Sequence, residues 1–340
     1  MKILFVGGTG TISMAITRLL AKRGDELYLL NRGSRTSELP ENVRVINADI
    51  SDEADVAKKL EGMTFDCVGE FIGFVPSQLE RDYRLFKDKT KQFIYISSAS
   101  AYQKPPRSHI ITEETPLENP YWEYSRNKKA CEDYLMERYE KDGFPVTIVR
   151  PSHTYDERSV PLGVHGNGGS WQVVKRIMEG KPVIIHGDGS SLWTITHNSD
   201  FAKGYVGLIG DPKAIGQAFH ITTDESVSWN RIYGAIAQAL GKELKPYYVS
   251  SQMLADMGRQ YDFTGSLTGD KSNTVIFDNS KLKSLVPDFK AEISAEEGIK
   301  MTVRNILSHP EFQNEDKEFD EWCDRVIEVL EKAKETMNND

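Results

Sequence analysis

The chain is 340 residues long and carries 42 Lys and Arg against 51 Asp and Glu, a formal charge of −9 with a pI near 5.4. Its 39% hydrophobic and 27% charged composition excludes wholesale disorder, and its acidity argues against electrostatic capture of nucleic acid, which needs clustered cations. No apolar run reaches the ~20 residues of a membrane span, and Met1-Lys2 leads straight into strand-like Ile3–Val6, unlike a signal peptide. The length is too great for one small core and suits one large bilobal domain or two modest ones. Three widely separated cysteines, Cys67, Cys131 and Cys323, match neither a disulfide framework nor a zinc site and read as thiols of a reducing cytoplasm. No His, Cys or carboxylate spacing suggests a metal.

Lys2–Val6 is a continuous apolar run ending in Gly7-Gly8, and predicts a strand. Ile12, Ile16, Leu19 and Leu20 then recur at helical spacing until Arg23-Gly24, where glycine suits a left-handed helix end. Further apolar runs at Leu27–Leu30, Val43–Ile46, Phe65–Val68, Phe93–Ile96 and Val146–Val149 alternate with helical patterns, including Ala54–Leu60, Gln78–Phe86 and Tyr124–Glu140. Runs apolar throughout suit strands buried on both faces of a parallel sheet, and the repeated strand-helix units imply right-handed crossovers. After Arg150-Pro151 the segment from Asp156 to Ser170 turns irregular. Helical patterns return in Trp171–Met178, Trp229–Leu240 and Glu318–Met337, the last with Phe319, Trp322, Val326, Leu330 and Ala333 on one stripe. The fold expected is α/β: a Rossmann-like doubly wound parallel sheet (residues 1–155) with a smaller C-terminal α+β substrate lobe (156–340), from which about 187–222 returns to the first domain.

Chemistry concentrates at three places. Val6-Gly7-Gly8-Thr9-Gly10-Thr11-Ile12-Ser13 joins the first strand to the first helix, where glycine permits a tight turn and lets backbone approach a pyrophosphate on the helix N-terminus. The second strand ends in Asn31-Arg32-Gly33-Ser34-Arg35. A carboxylate there would bind a ribose 2′-hydroxyl, whereas two cations and no acid favour NADP(H) over NAD(H), unless Arg32 and Arg35 are solvated loop charges. Asp49, past the third strand, reads as an adenine contact or a plain turn aspartate. The third place is the pairing of the strand end Ile96-Ser97-Ser98-Ala99-Ser100-Ala101-Tyr102 with Tyr124 and Lys128, one helical turn apart on one face. A tyrosine ionises near ~10 and becomes a useful base only where cations stabilise the phenolate.

With Gly7, Gly10, Asp49, Ser97-Ser98…Tyr102, Tyr124-x-x-x-Lys128, Arg150-Pro151, Gly187-Asp188-Gly189 and Asp200 in order, the chain resembles the extended short-chain dehydrogenases/reductases of the NAD-dependent epimerase/dehydratase family. The resemblance implies Tyr124 as catalytic acid and base. It implies Lys128 on the nicotinamide ribose, lowering the tyrosine pKa, and Ser98 on the reacting substrate oxygen. It places the cofactor on Gly7, Gly10, Thr11, Ile12, Asn31, Arg32, Arg35, Asp49, Ile50, Ser97, Tyr124, Lys128 and Pro151, and the substrate on Ser98, Ser100, His153 and Trp193. The reaction implied is hydride transfer between a carbinol or ketone carbon and nicotinamide C4.

The departures from the family pattern restrict this. Ala99-Ser100 replaces the Asp-Glu pair of sugar-nucleotide dehydratases, and Trp193 stands where the family commonly has an arginine gripping the substrate diphosphate. Ser152-His153-Thr154-Tyr155 lies where asparagine is usual. Glu70 reads equally as a polar pocket residue or a strand-end surface charge. His153 and His197 fall near the site edge and read as packed or hydrogen-bonded residues. The resemblance implies a cytoplasmic enzyme, compatible with a homodimer, acting on a small sugar-like substrate. Epimerisation of a sugar or sugar nucleotide comes first and NADPH-dependent reduction second. A third reading, similarity near Asn31-Arg32-Gly33 to chloroplast stem-loop RNA-binding proteins without catalysis, is opposed by the intact Ser98/Tyr124/Lys128 set and the negative charge.

Overall fold

The computed structural model describes residues 1–33 and 39–338, so Arg35 lies outside the described residues. Seven parallel strands make the central sheet: β1 (Lys2–Val6), β2 (Glu26–Asn31), β3 (Arg44–Asn47), β4 (Cys67–Glu70), β5 (Phe93–Ile96), β6 (Val146–Pro151) and β7 (Gln217–Ile221). Their order is β7-β6-β5-β4-β1-β2-β3, so the winding reverses between β1 and β4. In open α/β sheets, ligands bind at the carboxyl ends of the strands beside such a reversal.

Strand periodicity divides β1 between two cores. Ile3 and Phe5 face a cluster with Ile16 and Leu20 of α1 (Thr11–Arg23), while Leu4 and Val6 face one with Val56 of α2 (Glu53–Lys59) and Leu79 of α3 (Pro76–Phe86). The same second cluster takes Cys131 and Leu135 of α4 (Glu123–Asp142). All residues of β4, β5 and β6 are buried, as covered parallel strands require. β3 differs: it is the sheet edge, half uncovered, and Val45 in its apolar run faces solvent. α1 ends where Gly24, at φ 85°, donates its N–H to Ala21 O, a left-handed glycine stop.

Beyond β6 the chain builds a third apolar cluster around Trp193, Trp229 and the helices Trp229–Ala239 and Ala295–Ser308. α5 (Trp171–Met178) joins it and is tied to the C-terminal helix, Lys317–Asn338, by buried Arg176, which binds Asp320 and Asp324. Phe319, Trp322 and Val326 of that helix are buried, but Ala333 is exposed because the last turns leave the body. α6 (Asn198–Leu208) packs on α1, and β7 pairs with β6 in the central sheet. Cys67, Cys131 and Cys323 are buried free thiols. Among the described residues no helix is long and apolar enough to cross a membrane.

A buried polar knot joins α4 to the strand ends. The Arg150 guanidinium donates to both Glu132 carboxylate oxygens (Nη2–Oε2 2.6 Å, Nε–Oε1 3.0 Å) and to the Tyr102 hydroxyl at 3.1 Å. The Ser97 hydroxyl donates to the same carboxylate. Removing one partner of such a pair strands a charge in low dielectric, whereas apolar replacement of both is often tolerated. Glu132→Gln is therefore expected to cost about 3–5 kcal/mol in urea unfolding, with Glu132→Leu/Arg150→Met losing much less. Equal losses in the two variants would show that the knot does not carry this energy.

Candidate active site at the carboxyl edge of the sheet

A cavity of about 930 Å³ runs along the carboxyl ends of the strands, from the glycine turn to the C-terminal lobe. It is lined by Gly7, Gly10, Thr11, Ile12, Asn31, Arg32, Asp49 and Ile50 at one end, and by Ser97, Ser98, Ser100, Tyr124, Lys128, Pro151, His153 and Trp193 towards the other. Residues scattered over the chain are thus brought to one cleft.

At the turn, Gly7 N–H donates to Leu30 O at 3.1 Å, and the Thr17 hydroxyl donates to Gly8 O at 2.9 Å. Gly7 and Gly8 have φ of 99° and 102°, and a Cβ on Gly8 would stand 2.6 Å from Leu29 Cδ2. Gly8 is therefore a requirement of the turn that motif reading passed over. Gly10 has ordinary extended backbone, and a Cβ there would meet only Ser13 Oγ at 3.6 Å. Its lack of a side chain leaves the helix start open from outside. The first turn of α1 carries no acidic residue of its own to meet its unpaired N–H groups. Thr11 is held by residues beyond β6, its carbonyl by Asn198 Nδ2 at 3.0 Å and its hydroxyl by Arg158 at 3.1 Å.

At the end of β2, Asn31 Oδ1 accepts the Gly33 N–H at 2.9 Å, leaving the buried Nδ2 with no partner among the described residues. Arg32 is exposed at the cavity rim, and Arg81 of α3 lines the same end. Asp49 lines the cavity and also accepts from Ser51, whose hydroxyl and N–H hold its carboxyl below the usual range.

The inner part is built on one face of α4. Lys128 is 1% exposed, and its ammonium donates to Gly73 O at 2.7 Å and Ile96 O at 2.8 Å. The rings of Phe74, Tyr95 and Tyr124 lie at 4.8, 4.9 and 5.8 Å, and no carboxylate pairs with it among the described residues. Burial pushes its pKa down to about 8. Burial pushes the Tyr124 hydroxyl up, and only the Ser98 hydroxyl pulls it the other way. In the cleft as it stands, desolvation therefore outweighs any lowering by Lys128. Ser98 Oγ lies 2.9 Å from Ser100 Oγ, which accepts from the Ser125 hydroxyl at 2.8 Å. Ser125, beside Tyr124 on α4, was not picked out by sequence motifs. Ser97 lines the cavity, but its hydroxyl is committed to Glu132.

The reading of Glu70 needs correction. Glu70 is neither a pocket wall nor a surface charge. It is 0% exposed behind the cavity, accepts the Ile72 N–H at 2.6 Å and stands against Asp82, which is also buried. Burial and the Asp82 charge push Glu70 well up, burial raises Asp82 to about 6, and Arg81 pairs with Asp82 at 2.8 Å. His197 does not line the cavity, and its Nδ1 meets the Ser199 hydroxyl at 2.8 Å. His153 does line it, held neutral by burial, which lowers its pKa to about 3. Trp193 is 3% exposed and stacks on Trp229 with centroids 6.2 Å apart. The end of the cavity near Trp193 also holds Asp270 and Lys271, more than a hundred residues beyond Lys128 and outside every motif.

Residues 3–222 match the model of the NAD dependent epimerase/dehydratase family. The chain is 21% identical to 2′-dehydrokanamycin reductase of Streptomyces kanamyceticus over 85% of its own length and 80% of that protein's. It is 26% identical to the chloroplast stem-loop binding protein of 41 kDa b of Arabidopsis thaliana over 71% of its length and 63%, under two thirds, of that protein's. Among solved structures, UDP-glucuronic acid 4-epimerase from Bacillus cereus, in complex with UDP-glucuronic acid and NAD, superposes with a TM-score of 0.71. That match is 21% identical and covers 91% of this chain and 99% of the other. With the family model covering more than half of the residues, the chain belongs to the NAD dependent epimerase/dehydratase family and is an enzyme of the extended short-chain dehydrogenase/reductase type.

Proposed function

We propose that the cleft binds a nicotinamide dinucleotide and catalyses reversible oxidation of a secondary alcohol on a sugar-like substrate, with epimerisation as its first reading. The observation that carries this is the placing of Tyr124, Lys128 and Ser98 at the inner part of a cavity whose outer part starts at a glycine turn. The residues suit such a cofactor on their own chemistry. The open N-terminus of α1 is a seat for its pyrophosphate. The unpartnered Asn31 Nδ2 and nearby Arg32 are donors where an acceptor-rich group of the adenosine ribose would lie.

When bound, the nicotinamide supplies or takes the hydride. The chain's part is the proton and the geometry. Ser98, backed by Ser100 and Ser125, donates a hydrogen bond to the substrate oxygen. Tyr124 takes the hydroxyl proton during oxidation and returns it during reduction. Lys128 keeps a positive charge beneath the ring and so favours the phenolate, against the burial that raises it. An epimerase oxidises a carbinol and reduces the ketone from its other face, so it retains its cofactor through the cycle. The family and its 4-epimerase neighbour support that reading.

One observation favours a second. β2 ends without a carboxylate, in the donors Asn31 and Arg32, which suit a 2′-phosphate and hence exchangeable NADPH in a reductase. The match to the stem-loop binding protein bears on RNA binding only if an RNA affinity with a steep salt slope is found, since a flat slope excludes phosphate-driven binding.

Nucleotide released from the denatured protein separates the two enzymatic readings. Stoichiometric NAD(H) marks an epimerase, and an empty protein preferring NADPH to NADH marks a reductase. Binding of neither overturns the proposal. Tyr124→Phe is expected to lower turnover by about 10²- to 10⁴-fold with cofactor affinity nearly unchanged, and retained turnover removes Tyr124 from the role. Lys128 offers a further measurement. Its pKa falls from 10.5 in the unfolded chain to about 8 in the fold, so between those values the unfolded chain binds more protons. Wild-type stability should then rise relative to Lys128→Met as pH increases from about 8 to 10.5, by on the order of 3 kcal/mol. Parallel stability curves for the two proteins would contradict the buried-ammonium description.

A further inference from the structure

The substrate end of the cavity holds an unbalanced charge. Asp270 and Lys271 close the helical segment Thr264–Lys271, and both line the cavity. The Asp270 carboxylate pairs with the buried Lys104 ammonium at 3.7 Å, which also lies 5.2 Å over the Trp193 ring. Lys271 is 9% exposed, yet its ammonium has neither an ion pair nor a hydrogen bond among the described residues. The imidazoles that sense its charge, His153, His165 and His186, are all kept neutral by burial.

The backbone carrying this ammonium is anchored. The Lys271 carbonyl accepts from Trp229 Nε1 at 3.0 Å, His186 Nε2 at 3.3 Å and Ser191 Oγ at 3.4 Å. Trp193 and Thr154 line the same cavity, and Trp193 Nε1 and Thr154 Oγ1 are buried with no partner among the described residues. The one acid whose charge reaches Lys271 among the described residues is Asp270, which is already shared with Lys104, and a buried cation so weakly compensated is expensive. Lys104 and Asp270 offset each other, which leaves one positive charge. One carboxylate balances it; a phosphate monoester, at about −1.5 to −2, exceeds it by up to one charge, and the terminal diphosphate of uridine diphosphate exceeds it further against Asp270. The stacked Trp193–Trp229 pair, part of the lobe's apolar core, walls this end and favours a compact ligand.

We propose that Lys271 is the counter-ion for a single acidic group, a carboxylate or a phosphate monoester, on a compact sugar-like substrate. This rests on the hydride-transfer reading and names its substrate class. The site takes over, with a different residue and a smaller charge, the recognition that Trp193 does not supply.

The test is calorimetric titration of the cofactor-loaded protein with D-glucuronate, D-glucose 6-phosphate, D-glucose and uridine diphosphate. At least one acidic sugar should bind about tenfold or more tightly than glucose, as a charge-assisted hydrogen bond implies. The tighter of the two acids identifies the source of the charge. Lys271→Met and Lys271→Gln should both lose the preference while keeping wild-type cofactor affinity, which also shows that they fold. Equal binding of glucose, preference for uridine diphosphate, failure of both acids to bind, or a preference that survives both substitutions overturns the assignment. With cofactor affinity intact, such a result leaves the hydride-transfer reading standing. Absence of cofactor binding in the wild type removes both.

Discussion

The site depends on one costly arrangement, the burial of the Lys128 ammonium against neutral groups. Two carbonyls, Gly73 O beyond β4 and Ile96 O at the end of β5, solvate it, and three aromatic faces surround it. Charge–quadrupole attraction and two charge-assisted hydrogen bonds recover part of the desolvation penalty, and the lowered pKa shows that they do not recover all of it. One turn further along the same face of α4, Glu132 enters the knot with Arg150 and Ser97. Tyr124, Lys128 and Glu132 thus share one stripe. The first faces the cleft, the second the strand ends, and the third locks the helix to them. A knot of ordinary structural chemistry holds an ammonium where water would otherwise neutralise its effect.

The electrostatics of the cleft follow a gradient of commitment. At the glycine-turn end, charges are solvated or shared: Arg32 is at the rim, and Asp49 serves its own turn as well as the cavity. In the middle, Lys128 is fixed but unpaired by any acid. At the far end Lys271 makes no ion pair or hydrogen bond among the described residues, and the charge that reaches it is that of Asp270, itself paired with Lys104. Burial thus acts on both inner lysines, in a chain whose net charge is −9. The overall acidity sets the far field, while the cleft itself is lined by local cations.

Much of the first half was legible because strand and helix periods there are set by burial on both faces of a sheet. Phe93–Ile96 and Trp171–Met178 read with the bounds they have, and the glycine stop at Gly24 lies where its position suggested. β3 was legible as a strand but not as an edge, since an apolar run does not say which neighbours are missing. Tyr124 and Lys128 could be paired because helical spacing carries their geometry, whereas Ser98, on another element, joined them through the family resemblance. Glu70 could not be placed, because its fate depends on Asp82, which α3 brings against it. Lys271 lay beyond reach for the same reason: its position is set by Trp229, His186 and Ser191, none of them near it in sequence.

The measurement that bears most directly on Lys128 and Tyr124 is an ultraviolet titration of tyrosine ionisation, with and without oxidised nicotinamide nucleotide bound. Without it, burial should keep Tyr124 above the ordinary tyrosine range of ~10. With it, one tyrosine should ionise below that range, and the signal should vanish in Tyr124→Phe and move upward in Lys128→Met. If every tyrosine of the loaded protein ionises at or above the ordinary range, Tyr124 is not the proton-transfer group.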